Sequence, residues 1–125
     1  LSVVASRCGA RRIVGVDIEA SAITVARRNL TRNGCRPFRL IRADFSTRPV
    51  PGPFDLIVAN IGATPLLAMR DAMLAALRPG AHLAVTGVLA RERASFRRQF
   101  DHPRLRCIRI RANRDWVALL YRRVR

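Results

Sequence analysis

The sequence predicts an α/β fold, a mostly parallel sheet with helices on both faces. Three observations predict it. Short apolar runs alternate along the chain with segments of helical period. The strongest run, FDLIVANI, is apolar almost throughout, the pattern of a strand buried on both faces of a parallel sheet. The last two runs, RLRCIRI and WVALLYRR, are close enough for an antiparallel hairpin. With 125 residues, 50% of them hydrophobic, the chain is long enough for one domain with a core and too apolar to be disordered.

The elements follow in order. Leu1, Val4 and Ala5 are spaced to line one side of a helix that Gly9 can stop. Ile13 to Val16 is a short buried strand with the carboxylate of Asp17 at its tip. From about Glu19 to Asn33, Ile23, Ala26 and Leu30 share a helix face, Arg27 and Arg28 lie off it, and Asn33-Gly34 supplies the stop. A second strand runs from Phe38 to Ala43 and ends at Asp44. STRPVPGP, with three prolines and a glycine, is a surface loop. FDLIVANI then places Asn60 near a strand end. Thr64 and Pro65 form an N-cap and first-turn pair, Leu66, Met69, Met73, Leu74 and Leu77 an apolar stripe, and Pro79-Gly80 closes that helix. HLAVTGVL is a central strand, ARERASFRRQF a short polar helix, and the hairpin completes the chain.

The net charge is +16, and all 24 basic residues are arginine. The arginine pairs are scattered, which indicates a generally basic solvated surface that favours acidic surroundings. The few aromatic residues are not interleaved with arginine, so a stacking platform for bases is not indicated. Cys8, Cys35 and Cys107 are odd in number, far apart and in no CxxC, so neither a disulfide framework nor a zinc site is indicated. No metal is expected. No apolar stretch approaches the roughly 20 residues of a membrane helix, and a soluble, cytoplasmic protein is expected.

Ligands of open α/β sheets bind beyond the carboxyl ends of the strands. Asp17, Asp44 and Asn60 all fall there. An acid at such an end can accept from both hydroxyls of a ribose, and a second acid one strand further out from an adenine amino group. Asn60, with a carbonyl and two donors, can orient an attacking amine. Each has a plainer reading: Asp17 as a helix cap, Asp44 in RADFS as an Asx turn, Asn60 as a loop-ordering residue.

IVGVDIEASAITVARRN, FDLIVANIGATPL, LRPGAHLAVTGVL and WVALLYRR resemble, in order and over nearly the whole chain, the S-adenosylmethionine-dependent methyltransferases of ribosomal protein L11, the PrmA family. VANI before a small-residue turn and PL, then PGxxLxxxGxL, carries the specificity. The resemblance implies a Rossmann-like class I methyltransferase sheet, mostly parallel with a C-terminal antiparallel hairpin. It also implies that residues 1–125 are a single partial domain lacking the family's first strand and glycine-rich loop, which belong at the middle of the sheet, and its N-terminal substrate-recognition domain.

Carried over residue by residue, the resemblance makes Asp17 the ribose-binding acid with Ile18 packed on the adenine. Asp44 becomes the adenine-contacting acid with Phe45 as an apolar wall. Asn60 lines the methyl-transfer site as catalytic and cofactor-binding residue, and Ile61 is its substrate-binding neighbour. Gly62 and Ala63 depart from the NPPY pattern of many nitrogen methyltransferases, which points away from nucleobases and toward protein amines. The implied cofactor is S-adenosyl-L-methionine. The implied enzyme methylates lysine or α-amino groups of a large-subunit ribosomal protein by single displacement, without a strong acid or base. His82 and His102 sit in no catalytic pattern. The expected partners are that ribosomal protein and a separately encoded N-terminal portion, with weak contact to ribosomal RNA. Two alternatives stay open: a non-catalytic basic module docking on ribosomal RNA, and a methyltransferase of another protein lysine or small amine.

Overall fold

In the computed structural model, which describes residues 1–125, the chain forms two units, Leu1–Arg48 and Pro49–Arg125. The first is a βαβ unit preceded by a short helix: α1 (Ser2–Arg7), β1 (Ile13–Asp17), α2 (Ala20–Arg32) and β2 (Phe38–Arg42). β1 and β2 pair in parallel from Ile13 opposite Phe38 to Asp17 opposite Arg42. α2 ends as Asn33-Gly34 foretells. Gly34 takes φ +67°, its N–H donates to the carbonyl of Thr31, and the N–H of Cys35 donates to that of Leu30, both at 3.0 Å. This paired closure satisfies two orphan carbonyls and buries Cys35 beside Leu30. The expected face of α1 is corrected: Leu1 and Val4 are 68% and 62% exposed. The helix turns its small side instead, with the Ser2 hydroxyl near Gly15 of β1.

The second unit contains β3 (Phe54–Asn60), α3 (Ala63–Ala76), β4 (Leu77–Leu89), a 3₁₀ turn (Ala90–Glu92), α4 (Arg93–Phe100), β5 (Leu105–Ala112) and β6 (Trp116–Arg123). The sheet order is β3-β4-β6-β5, and β6 alone runs against the others. One face carries the core: Leu83 and Val85 of β4 and Val117, Leu119 and Tyr121 of β6 are buried with Leu66, Met73 and Leu74 of α3 and Phe96 and Phe100 of α4. Phe96 and Phe100 stack at 4.7 Å, so the helix that reads as polar anchors itself by two rings. The buried Tyr121 hydroxyl donates to Asp101 Oδ1 at 2.8 Å, while Arg97 donates to Oδ2 at 2.7 Å. Burial pushes the Tyr121 phenol up, keeping it a donor.

Three expectations change in this unit. FDLIVANI is not buried on both faces, since Leu56 and Val58 are 51% and 42% exposed; α3 and α4 pack on the other face only. α3 starts from Gly62, not Thr64, and places Thr64 and Pro65 in its first turn, where the N–H that proline lacks would have no partner anyway. The helix also ends at Ala76, before Pro79-Gly80. Leu77 is extended and pairs with Phe54 in the sheet, and the residue before a proline resists helical geometry. Arg123 closes the end of α3 by donating to the carbonyls of Leu74 and Leu77. No helix is long and apolar enough to cross a membrane, and all three cysteines are free.

Candidate functional site

Four of the six candidate residues lie in the first unit, at the carboxyl ends of its two hydrogen-bonded parallel strands. Asp17 ends β1, and its carbonyl accepts from the N–H of Ala43 at 3.0 Å. Arg42, the last residue of β2, donates from Nε to the carbonyl of Ile18 at 3.2 Å. These two bonds tie the strand ends together and fix Asp17-Ile18 beside Ala43-Asp44.

Asp17 is exposed, and Oδ1 accepts from the N–H of Glu19 at 2.9 Å. That bond orders the turn into α2 without capping it, since Glu19 holds the cap position. A carboxylate has about four acceptor positions, so Asp17 keeps most of its capacity, including all of Oδ2. Ile18 is 57% exposed although apolar. Asp44 forms the Asx turn that RADFS suggests: Oδ1 accepts from the Ser46 N–H at 2.9 Å and the Ser46 hydroxyl at 2.6 Å. Oδ2 stays open toward solvent. Phe45 beside it is half-buried.

The hydroxyl and then the amide of Ser46 hold the Asp44 carboxyl below its ordinary 3.8. The sign follows from linkage: a depressed acid contributes order that is complete above 3.8 and is lost as pH falls through the lowered value. Ser46→Ala removes the larger cause. Its expected result is an Asp44 titration midpoint, read from the side-chain carboxyl resonance, that moves up toward 3.8; an unmoved midpoint contradicts the assignment.

The other two candidates stand in the second unit. Asn60 ends β3, exposed and opposite Thr86 of β4, and the N–H of Ile61 donates to the carbonyl of Thr86 at 3.1 Å. Ile61 is half-buried. Gly87, at φ +87°, lies directly against the Ile61 backbone: a Cβ there would fall 2.5 Å from its carbonyl oxygen. Gly87 is the second glycine of PGxxLxxxGxL, so the sequence carried its signal without naming its contact. Arg42 had no comparable signal. His82 pairs in β4 with Leu56 and Arg122, and Nδ1 of His102 accepts from the N–H of Arg104; neither stands at a strand end of the site. No cluster of metal-ligating side chains is present.

The profile of the family described as ribosomal protein L11 methyltransferase (PrmA) matches residues 1–124. The ribosomal protein L11 methyltransferase of Geobacter sulfurreducens is 32% identical over 125 residues, which cover 98% of this chain and 40% of that protein. That of Pelobacter propionicus is 36% identical over 126 residues, with the same 98% and 40%. The chain thus spans 40% of the length of these two curated relatives. Among solved structures, the ribosomal protein L11 methylase of Lactobacillus delbrueckii subsp. bulgaricus matches with a TM-score of 0.89 at 26% identity, over 99% of this chain and 64% of that one. TrmN of Thermus thermophilus, with a TM-score of 0.82 at 17% identity over 98% of this chain and 40% of that one, shares the fold alone.

Proposed function

The chain belongs to the ribosomal protein L11 methyltransferase (PrmA) family and has the Rossmann-like α/β fold of class I methyltransferases, and on that premise we propose that it carries the cofactor-holding part of an S-adenosylmethionine-dependent protein N-methyltransferase. Its acceptors are lysine or α-amino groups of a large-subunit ribosomal protein. The supporting observation is the pair Asp17 and Asp44, each exposed near the carboxyl end of one of two adjoining parallel strands with a carboxylate oxygen to spare.

The residues suit a nucleoside. Asp17 retains enough acceptor capacity for two ribose hydroxyls, and Asp44 offers Oδ2 to an amino group such as that of adenine. Ile18 supplies an apolar side chain that contact with a base would cover, and Phe45 adds an apolar wall. When bound, S-adenosylmethionine supplies a methyl group already made electrophilic by its sulfonium, so the chain has to orient the acceptor and exclude water.

Asn60 presents a carbonyl acceptor and two N–H donors at the end of β3. Its carbonyl oxygen accepts from an N–H of the acceptor amine and so leaves the lone pair free for attack, while Ile61 shields the amine from water. A lysine acceptor first loses its proton to solvent, because a lone pair must be available before the new nitrogen–carbon bond can form. The test uses cofactor labelled on its methyl group, the chain and ribosomal protein L11. The expected result is label on L11 amines, lowered by about 100-fold in Asn60→Ala through loss of alignment; wild-type chain that transfers no label contradicts the proposal.

A further inference from the structure

A neutral primary amine carries two N–H groups and one lone pair, and the lone pair must face the electrophilic carbon when it attacks. The Asn60 carbonyl accepts from one N–H, which leaves the amine free to turn about that bond. A second acceptor close by would fix it. Thr86 of β4 stands where such an acceptor is needed. It is the direct partner of Asn60 in the β3-β4 ladder, and residues opposite each other in register send their side chains to the same face of the sheet.

The backbone around Thr86 is built for the site. Its carbonyl accepts from the N–H of Ile61 at 3.1 Å, which clamps it to the Asn60-Ile61 segment. On its other side the pairing with β6 slips between Val85 and Val88, so that Thr86 and Gly87 together face Ala118. Two residues against one make a β-bulge, which interrupts a ladder and re-aims a side chain. The extra residue returns Val88 to the buried face and frees Thr86 from regular pairing with β6. Gly87, at φ +87°, packs against the Ile61 backbone, so the bulge and the end of β3 meet directly.

The side chain is a separate sign. Thr24 and Thr47 spend their hydroxyls on backbone carbonyls, whereas the hydroxyl of half-buried Thr86 enters no hydrogen bond within the chain. Valine would suit the strand equally well, so the oxygen adds nothing to the fold. The spacing agrees. Adjacent strands lie about 4.7–4.9 Å apart, and two acceptors each about 2.9–3.0 Å from one nitrogen, at the tetrahedral angle, stand about 4.8 Å apart.

We propose that Thr86 is a second acceptor-binding residue of the methyl-transfer site, its hydroxyl oxygen accepting from one N–H of the amine while the Asn60 carbonyl accepts from the other. The proposal rests on the reading of Asn60 as the residue that holds the amine. With both N–H groups engaged, the lone pair is the one feature of the amine left free, and its direction is fixed by the two strand ends.

The test compares the wild type with Thr86→Val, which keeps the shape of the side chain without its oxygen, and Thr86→Ser, which keeps the oxygen. The initial rate of label transfer from methyl-labelled S-adenosylmethionine to ribosomal protein L11 is expected to fall by about tenfold in Thr86→Val, the effect of one lost hydrogen bond. Thr86→Ser is expected to recover most of that loss. Calorimetric affinity for S-adenosylmethionine and the urea midpoint are expected to be the same in Thr86→Val as in the wild type, because the hydroxyl serves the amine and neither the cofactor nor the fold. Thr86→Val as fast as the wild type, Thr86→Ser as slow as Thr86→Val, or a cofactor affinity or urea midpoint that falls with the rate overturns the proposal and leaves the methyltransferase reading standing. A wild-type chain that transfers no label overturns both.

Discussion

Asp17→Ala is expected to weaken S-adenosylmethionine binding by at least about 100-fold, since it removes hydrogen bonds to a charged acceptor worth about 1.5–3 kcal/mol each. The proposed role has this one carboxylate accept from both ribose hydroxyls. Arg42, which closes the strand ends, brings only donors, and Asp44 is engaged with Ser46 through Oδ1.

Alanine also removes the acceptor for the Glu19 N–H and so loosens the entry to α2. Asp17→Asn separates the two effects. Its amide oxygen still accepts from Glu19, but the charge is gone and one acceptor becomes a donor, so an intermediate loss of about tenfold is expected. Calorimetric titration of the cofactor into the wild type and both variants reads the series. Equal affinity in all three contradicts the ribose assignment.

Gly87→Ala is expected to destabilise the second unit by about 2–5 kcal/mol, combining the strain of a left-handed backbone with forced overpacking. The contact is with backbone: the added methyl would sit 2.5 Å from the carbonyl oxygen of Ile61 and 2.9 Å from its carbon. A flexible side chain could turn aside, but Ile61 is held by the bond from its N–H to Thr86. The segment that must give way is Asn60-Ile61, so the stability loss should accompany displaced amide resonances at these two residues.

Gly34→Ala is the control. Gly34 also has a positive φ, +67°, but no atom lies within 4 Å of a Cβ built on it. Strain alone then costs about 1–2 kcal/mol. Urea denaturation of both variants isolates the contact term; a Gly87→Ala loss no larger than that of Gly34→Ala contradicts the packing account.

These cases show what the sequence could and could not disclose. The βαβ unit was legible because the period of Ile23, Ala26 and Leu30 and the Asn33-Gly34 stop are local chemistry. Asp17 and Asp44 were legible for the same reason, since strand ends follow from where an apolar run stops. The burial of FDLIVANI was not, because an apolar run announces a strand without saying which of its faces another element covers.

The end of α3 was misplaced because pairing between Leu77 and Phe54 is a tertiary event that overrides the reading of Pro79-Gly80 as terminator. Arg42 against Ile18 and Gly87 against Ile61 join positions more than twenty residues apart.

The central claim is that the paired ends of β1 and β2 hold the nucleoside of the cofactor. Its most direct test is a residue-resolved map of backbone amide resonances during titration of the 125-residue chain with S-adenosylmethionine. Saturable shifts concentrated at Asp17, Ile18, Asp44 and Phe45, and lost in Asp17→Ala, are the predicted result. No saturable shifts, or shifts that spare these four residues, would contradict it.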